Sequence, residues 1–354
     1  MPATLAESEA AFSDPALCGP LLDRLRRELD APLRFMEVCG THTVSIFRSG
    51  LRSLLPEGIT HLSGPGCPVC VTHDREIAAC IGLAEKQDVI IATFGDLMRV
   101  PGPGGKSLKQ AKAEGAEVEI VYSPLDALAL AQKRPDRTVV FIGVGFETTA
   151  PAVAATIRSA EMLRLSNFTV LAFHKLVPPA LEVLLASGEQ PGPQKKTSDS
   201  TGGIDAFLLP GHVSTIMGLS GYDFLAARHG KPGVVGGFAP ADILHSLLLM
   251  LDMRRTGRPA IVNQYSRAVS EQGNPKAREI LFSVFETTDA LWRGIGPIPD
   301  SGLAVRDRFA DYDAFRRFSL ALPDVPEIPG CRCGEVLKGL MQPDKCPLFG
   351  KACT

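Results

Sequence analysis

The chain has 354 residues, 45% of them hydrophobic and 21% charged, with a formal net charge of −2. That supplies apolar surface for a large core and length for two domains or more. The near-neutral balance excludes the electrostatic footprint of a nucleic-acid binder or of a protein held on an anionic membrane. No apolar run is long enough to span a bilayer, and Met1 to Pro15 is acidic and Ala-rich without the apolar core of a signal peptide. These features predict a cytosolic protein, where structural disulfides are rare. Nine cysteines, an odd number, then point to metal or redox chemistry.

In chain order, short β-branched and apolar runs alternate with helical patterns. Strands are predicted at 33–38, 60–62, 89–93 and 118–122, then at 138–143, 168–173, 206–209, 234–236 and 260–263. Between them, 74–86, 107–114 and 151–163 have helical spacing, and the apolar stretch 244–251 reads as a buried helix. The alternation predicts an α/β protein of two similar domains, with parallel sheets flanked by helices. The expected boundaries are 1–124, 125–262 and 263–354. The segment 188–203, polar and rich in Gly, Pro, Ser and Lys, reads as an exposed insertion. After about Asn263 one more helix, 275–284, precedes sequence expected to be irregular. Cys331 to Thr354 is too short to bury a core and needs a metal or covalent staple.

That last stretch carries Cys331, Cys333, Cys346 and Cys353. Four thiolates suit zinc, but paired CxxC knuckles are absent. Pro347 directly after Cys346 fits iron–sulfur ligation, and spacing alone leaves both metals open. Cys67-Pro-Val-Cys70 lies in a loop predicted to feed a helix N-terminus, where a thiolate is stabilised; the pair is a redox motif or half of a metal site. Cys39, in Glu37-Val-Cys-Gly-Thr-His-Thr43, falls at the carboxyl end of the first strand, where open α/β sheets bind ligands. There Thr41 and Thr43 would bond a ligand or cap the next helix, and His42 would bind metal, carry a proton or activate Cys39. The bland alternative for Cys39 is a buried thiol beside a capping threonine. Cys18 and Cys80 read as core thiols. Other polar residues recur at strand ends: Asp96, then Glu147, Thr148 and Thr149 at a helix start, then His174 and His212. Each alone is read as a cap or loop residue; the Glu147 group would also suit an anion or nucleotide, although no Walker lysine motif is present.

Taken together, Cys39-Gly-Thr-His-Thr43, Gly64-Pro-Gly-Cys-Pro-Val-Cys70, Phe94-Gly-Asp96, Gly145-Phe-Glu-Thr-Thr-Ala-Pro151, Pro210-Gly-His212 and the segment from Cys331 through Gly350 resemble the HypD family. The match runs over nearly the whole chain in one order. The resemblance implies a redox-active scaffold in [NiFe]-hydrogenase maturation rather than a conventional turnover enzyme. It implies a complex with HypC, in which nascent Fe(CN)2CO iron binds a partner cysteine and Cys39, with His42 beside it. Cyanide would come from HypE, with HypF upstream, and the hydrogenase large subunit would be served indirectly. Cys67 and Cys70 are implied to be redox-active and linked to a [4Fe-4S] cluster in a small third domain. The implied cluster ligands match Cys331, Cys346, Cys353 and a cysteine beyond position 354. With the sequence ending at Thr354, a truncation, Cys333 as fourth ligand and an open iron all remain. Two other classes stay in view: a stand-alone thiol–disulfide oxidoreductase using Cys67 and Cys70, and a zinc-stabilised binding module.

Overall fold

The computed structural model describes residues 11–186, 203–326 and 329–351. Eleven strands lie among them: β1 Leu33–Glu37, β2 Ile59–Ser63, β3 Val89–Thr93, β4 Val118–Ile120, β5 Thr138–Gly143, β6 Phe168–Ala172, β7 Ala206–Pro210, β8 Gly233–Gly236, β9 Ile261–Asn263, β10 Phe285–Trp292 and β11 Gly296–Val305. They form two parallel sheets, in the orders β2-β1-β7-β8-β9 and β4-β3-β5-β6, and one antiparallel hairpin, β10-β11. The two helix-flanked parallel sheets are the predicted α/β class.

The chain forms two compact units of discontinuous segments. One comprises Met1–Cys67, Ala180–Pro275 and Gly334–Phe349; the other comprises Pro68–Pro179, Lys276–Cys333 and Gly350–Thr354. The boundaries expected at 124 and 262 do not coincide with this partition. β1 takes β7 as its neighbour, Phe35 opposite Ala206, so the first strands join the last parallel ones.

In the first unit, helices Pro15–Glu28 and Pro240–Thr256 pack with Phe35, Leu208 and Val234 of the central strands. In the second, β3 and nearly all of β5 are buried, as expected for parallel strands covered on both faces. Helix Ala150–Met162 and the β10-β11 hairpin share one core with β5 and β6; helix Asp74–Ala84 shares another with β3. The hairpin replaces the irregular sequence expected after residue 284. The expected insertion at 188–203 lies outside the described residues apart from Gly203. Cys18 and Cys80 are core thiols, as expected. No helix among the described residues is long and apolar enough to cross a membrane.

Candidate functional site: Cys39 and the Gly64–Cys67 loop

Cys39 is the residue at which β1 turns into helix Gly40–Arg48, and it is 9% exposed. Its extended backbone (φ −150°) lets the chain leave the sheet and enter the helix at once. Burial pushes the Cys39 thiol up from its ordinary value; hydrogen bonding from the Thr41 backbone and hydroxyl opposes this, while the Glu37 charge adds to it. Glu37 is buried beneath the turn. It accepts from Cys39 N–H (Oε2, 2.9 Å) and from Thr43 Oγ1 (Oε1, 2.5 Å), and His61 Nε2 lies 3.8 Å from Oε1. Of the two expected roles, ligand bond or helix cap, Thr43 caps nothing here: its hydroxyl donates to the carboxylate.

The Gly64-Pro-Gly66 loop packs backbone against backbone on this turn. Gly64 N–H donates to Glu37 O and Gly40 N–H donates to Gly66 O, both at 2.8 Å. A Cβ on Gly66 would lie 2.2 Å from Cys39 N and 2.4 Å from Val38 C, so no other residue fits. The glycines therefore bring this loop onto the Cys39 turn. A Cβ on Gly40 would lie 3.9 Å from Cys67 Cβ, so the second cysteine motif borders the first. Cys67 and Cys70 are disulfide-bonded, Cys67 partly buried and Cys70 exposed, and Cys70 lies in the short helix Pro68–Val71.

His42 is fully buried. Its Nε2 lies 3.2 Å from Gly236 O and 3.1 Å from Gly237 O. Both partners are carbonyls, so Nε2 carries the proton and Nδ1 is a bare acceptor; Nδ1 has no hydrogen-bond partner. Burial lowers its pKa to about 4, against the opposing charge of Glu37, so the ring is neutral at pH 7. Phe238 meets both His42 (tilted, 4.6 Å between ring centroids) and the exposed His212 (stacked, 4.1 Å). Partial desolvation lowers the His212 pKa.

A second group of sequence candidates lies at the ends of β5 and β6. Glu147 is buried; its Oε1 accepts from Val177 N–H at 2.9 Å and its Oε2 has no partner. Desolvation raises its pKa to about 7. Thr149 Oγ1 donates to Phe146 O at 3.2 Å, and Thr148 is partly buried. His174 is buried with neither ring nitrogen partnered; burial lowers its pKa to about 3. It lines a cavity of about 300 Å³ with Glu76 and Asp313. Asp96 is exposed, at the start of the 3-10 turn Leu97–Arg99, without a side-chain cap bond.

Glu147→Gln is a direct test of that carboxyl. A folded-state value raised from 4.5 to about 7 means the folded protein holds a proton that the unfolded chain releases. The wild type therefore loses stability as pH rises from about 4.5 through about 7. Glutamine keeps the acceptor for Val177 without the charge. The variant is expected to match wild type at pH 4.5 and exceed it by about 3 kcal/mol at pH 8, measured by urea unfolding. Parallel pH profiles for the two proteins would contradict the assignment.

Of the C-terminal cysteines, Cys331 is exposed, Cys333 opens the short helix Cys333–Leu337, and Cys346 is partly buried. All three are outside disulfides; Cys353 lies outside the described residues. Among the described residues, no three or more His, Cys, Asp or Glu side chains are grouped to hold a metal ion. Glu37 and Phe238 were missed by sequence reasoning. Glu37 had a signal, as a lone acid ending an apolar strand; Phe238 had none.

Comparison with known proteins gives the relationship. The HypD family model, described as the hydrogenase formation hypA family, matches residues 17–354. The chain belongs to the HypD family. It is 44% identical to hydrogenase maturation factor HypD of Rhodobacter capsulatus, over 97% of this chain and 91% of that protein. It is 45% identical to the Escherichia coli (strain K12) factor of the same name, over 92% and 84%, and 44% identical to factor HypD2 of Bradyrhizobium diazoefficiens, over 97% and 90%. In this HypD-family chain the Cys-Gly-Thr-His and Gly-Pro-Gly-Cys segments are thus spatial neighbours, sharing backbone hydrogen bonds.

Proposed function

We propose that the chain is a cytoplasmic [NiFe]-hydrogenase maturation factor, acting as scaffold and redox protein for the Fe(CN)2CO unit in complex with HypC. The observation that carries this reading is the packing of the Gly64–Cys67 loop on the Cys39 turn, which brings Cys67 to the turn that bears the buried Cys39 thiol. Cys39, as thiolate, binds the cargo iron together with a thiolate of HypC; a soft anionic ligand suits low-spin iron carrying strong-field diatomics. Glu37 holds the Cys39 backbone, and His42 offers its bare Nδ1 as a neighbouring acceptor. Cys67 and Cys70 cycle between dithiol and disulfide while cyanide delivered by HypE is installed: closing the S–S bond releases two protons and gives two electrons to one-electron acceptors of the iron–sulfur class, and the same number returning reopens it. The thiols of Cys331, Cys346 and Cys353, with Cys333 or a further cysteine, have the donor chemistry for a [4Fe-4S] cluster, which when bound supplies one-electron exchange.

Anaerobic purification with HypC, followed by infrared and Mössbauer spectroscopy, tests the proposal. Cyanide and carbonyl stretching bands with low-spin iron are expected, together with the Mössbauer signature of a four-iron cluster. Zinc at unit stoichiometry without iron would instead favour the binding-module reading.

A further inference from the structure

The carbonyls that hold His42 belong to Gly236 and Gly237, at the end of β8. A chain of polar contacts fixes them. Gly237 N–H donates to Gln264 Oε1 at 3.0 Å, and Gln264 Nε2 donates to Asp242 Oδ1 at 2.9 Å. Asp242 is fully buried, accepts both arms of the Arg267 guanidinium (2.8 and 2.5 Å), and accepts from Ala239 N–H at 3.2 Å. Such a two-point pair fixes orientation as well as charge. Arg267 lies over the rings of Phe12 and Tyr265, 4.3 and 4.6 Å from their centroids. Gly237 admits no side chain, since a Cβ there would lie 2.3 Å from Asp242 Oδ2. Ser45 Oγ, on the His42 helix, donates to Phe238 O at 2.5 Å. Both carbonyls are thereby held facing the His42 ring.

We propose that Gln264, backed by Asp242 and Arg267, is a positioning residue that locks His42 in its Nε2–H tautomer and keeps Nδ1 bare for the Cys39 site. The alternative tautomer would set a bare nitrogen lone pair against two carbonyl oxygens, losing their hydrogen bonds. The lock therefore biases the tautomers at least about tenfold. The lock is a property of the protein alone; its use in iron loading rests on the function proposed above.

The test is NMR of the imidazole nitrogens in the full-length protein labelled with 15N-histidine, with the His42 signals assigned by their loss in His42→Gln. Wild type at pH 7 is expected to carry the His42 proton on Nε2, with Nδ1 unprotonated. Gln264→Leu is expected to raise the Nδ1–H population about tenfold and, in the complex with HypC, to reduce the infrared bands of the iron unit. Should that variant fail to fold, Arg267→Gln loosens the same chain from its partly exposed end and is read in the same way. A proton on Nδ1 in wild type, or unchanged tautomers in the folded variant, overturns the lock. Shifted tautomers with full-strength bands overturn its role in iron loading. Failure of the iron reading itself shows separately, as bands that survive loss of the Cys39 thiol.

Discussion

Gly66→Ala is expected to silence the Cys39 site as completely as Cys39→Ala, without removing a thiol. Alanine at 39 deletes the proposed iron ligand, so the cyanide and carbonyl bands of the HypC complex should vanish. Alanine at 66 acts by geometry. Its methyl would sit 2.2 Å from Cys39 N and 2.6 Å from Cys39 Cα, and both are backbone atoms that cannot swing aside. The loop must lift, breaking the 2.8 Å bond from Gly40 N–H to Gly66 O and withdrawing Cys67 from the turn. Overpacking of this kind costs about 1–3 kcal/mol, and a misplacement of about 1 Å at a reacting group costs on the order of 100-fold. Infrared bands, hydrogenase activity in a complemented strain and a thermal melt measure the three consequences. Gly82→Ala is the control: a Cβ there meets nothing within 4 Å, inside helix Asp74–Ala84, so a gain of about 0.5–1 kcal/mol is expected. Full bands from Gly66→Ala would show that the backbone packing is not what the site depends on.

Lys175→Met is expected to cost about 3–5 kcal/mol of stability, the range for breaking a buried ion pair from one side. Lys175 is 1% exposed and Glu76 4%, and Lys175 Nζ reaches both carboxylate oxygens at 2.8 and 2.9 Å. Burial raises the Glu76 pKa, and the attraction of Lys175 opposes it. With lysine gone, the carboxylate stays buried, with His73 N–H still donating to it and the Arg293 charge still acting on it, but without its direct cation partner. Adding Glu76→Gln should return the protein to within about 1–2 kcal/mol of wild type, because the uncompensated charge is then removed. Guanidinium unfolding of both variants and the double variant reads the coupling. Additive costs would refute it.

Placement of the central strands β3, β5, β7 and β8 was legible in the sequence because they are buried nearly throughout. Val89–Thr93 is buried throughout, and its β-branched run has no polar interruption. The β10-β11 hairpin was not legible. Its residues 286–289 are exposed, and Pro297 and Pro299 punctuate β11, so period-two patterning is blurred. Strand pairing was equally hidden, since nothing in the apolar run of β1 names β7 as its neighbour. The cysteine motifs announced chemistry, and the lone acid Glu37 was visible as an anomaly. The residues that shape the pocket were not. Phe238 and Gln264 lie about two hundred residues from His42 and look like ordinary loop and strand-end positions.

The interleaving of the chain also sets a schedule. Arg34 N–H bonds to Asp205, 171 residues later, and the His42 ring meets Gly236 after 194. At synthesis rates of about 5–20 residues per second, β1 waits on the order of ten to forty seconds for its neighbour β7 and for the carbonyls that close over His42. Strands β3 to β6 are consecutive, so their sheet can form in that interval. The Cys39 pocket therefore cannot close until Gly236 and Gly237 have been made, and until then its thiol is open to oxidants and stray metal ions.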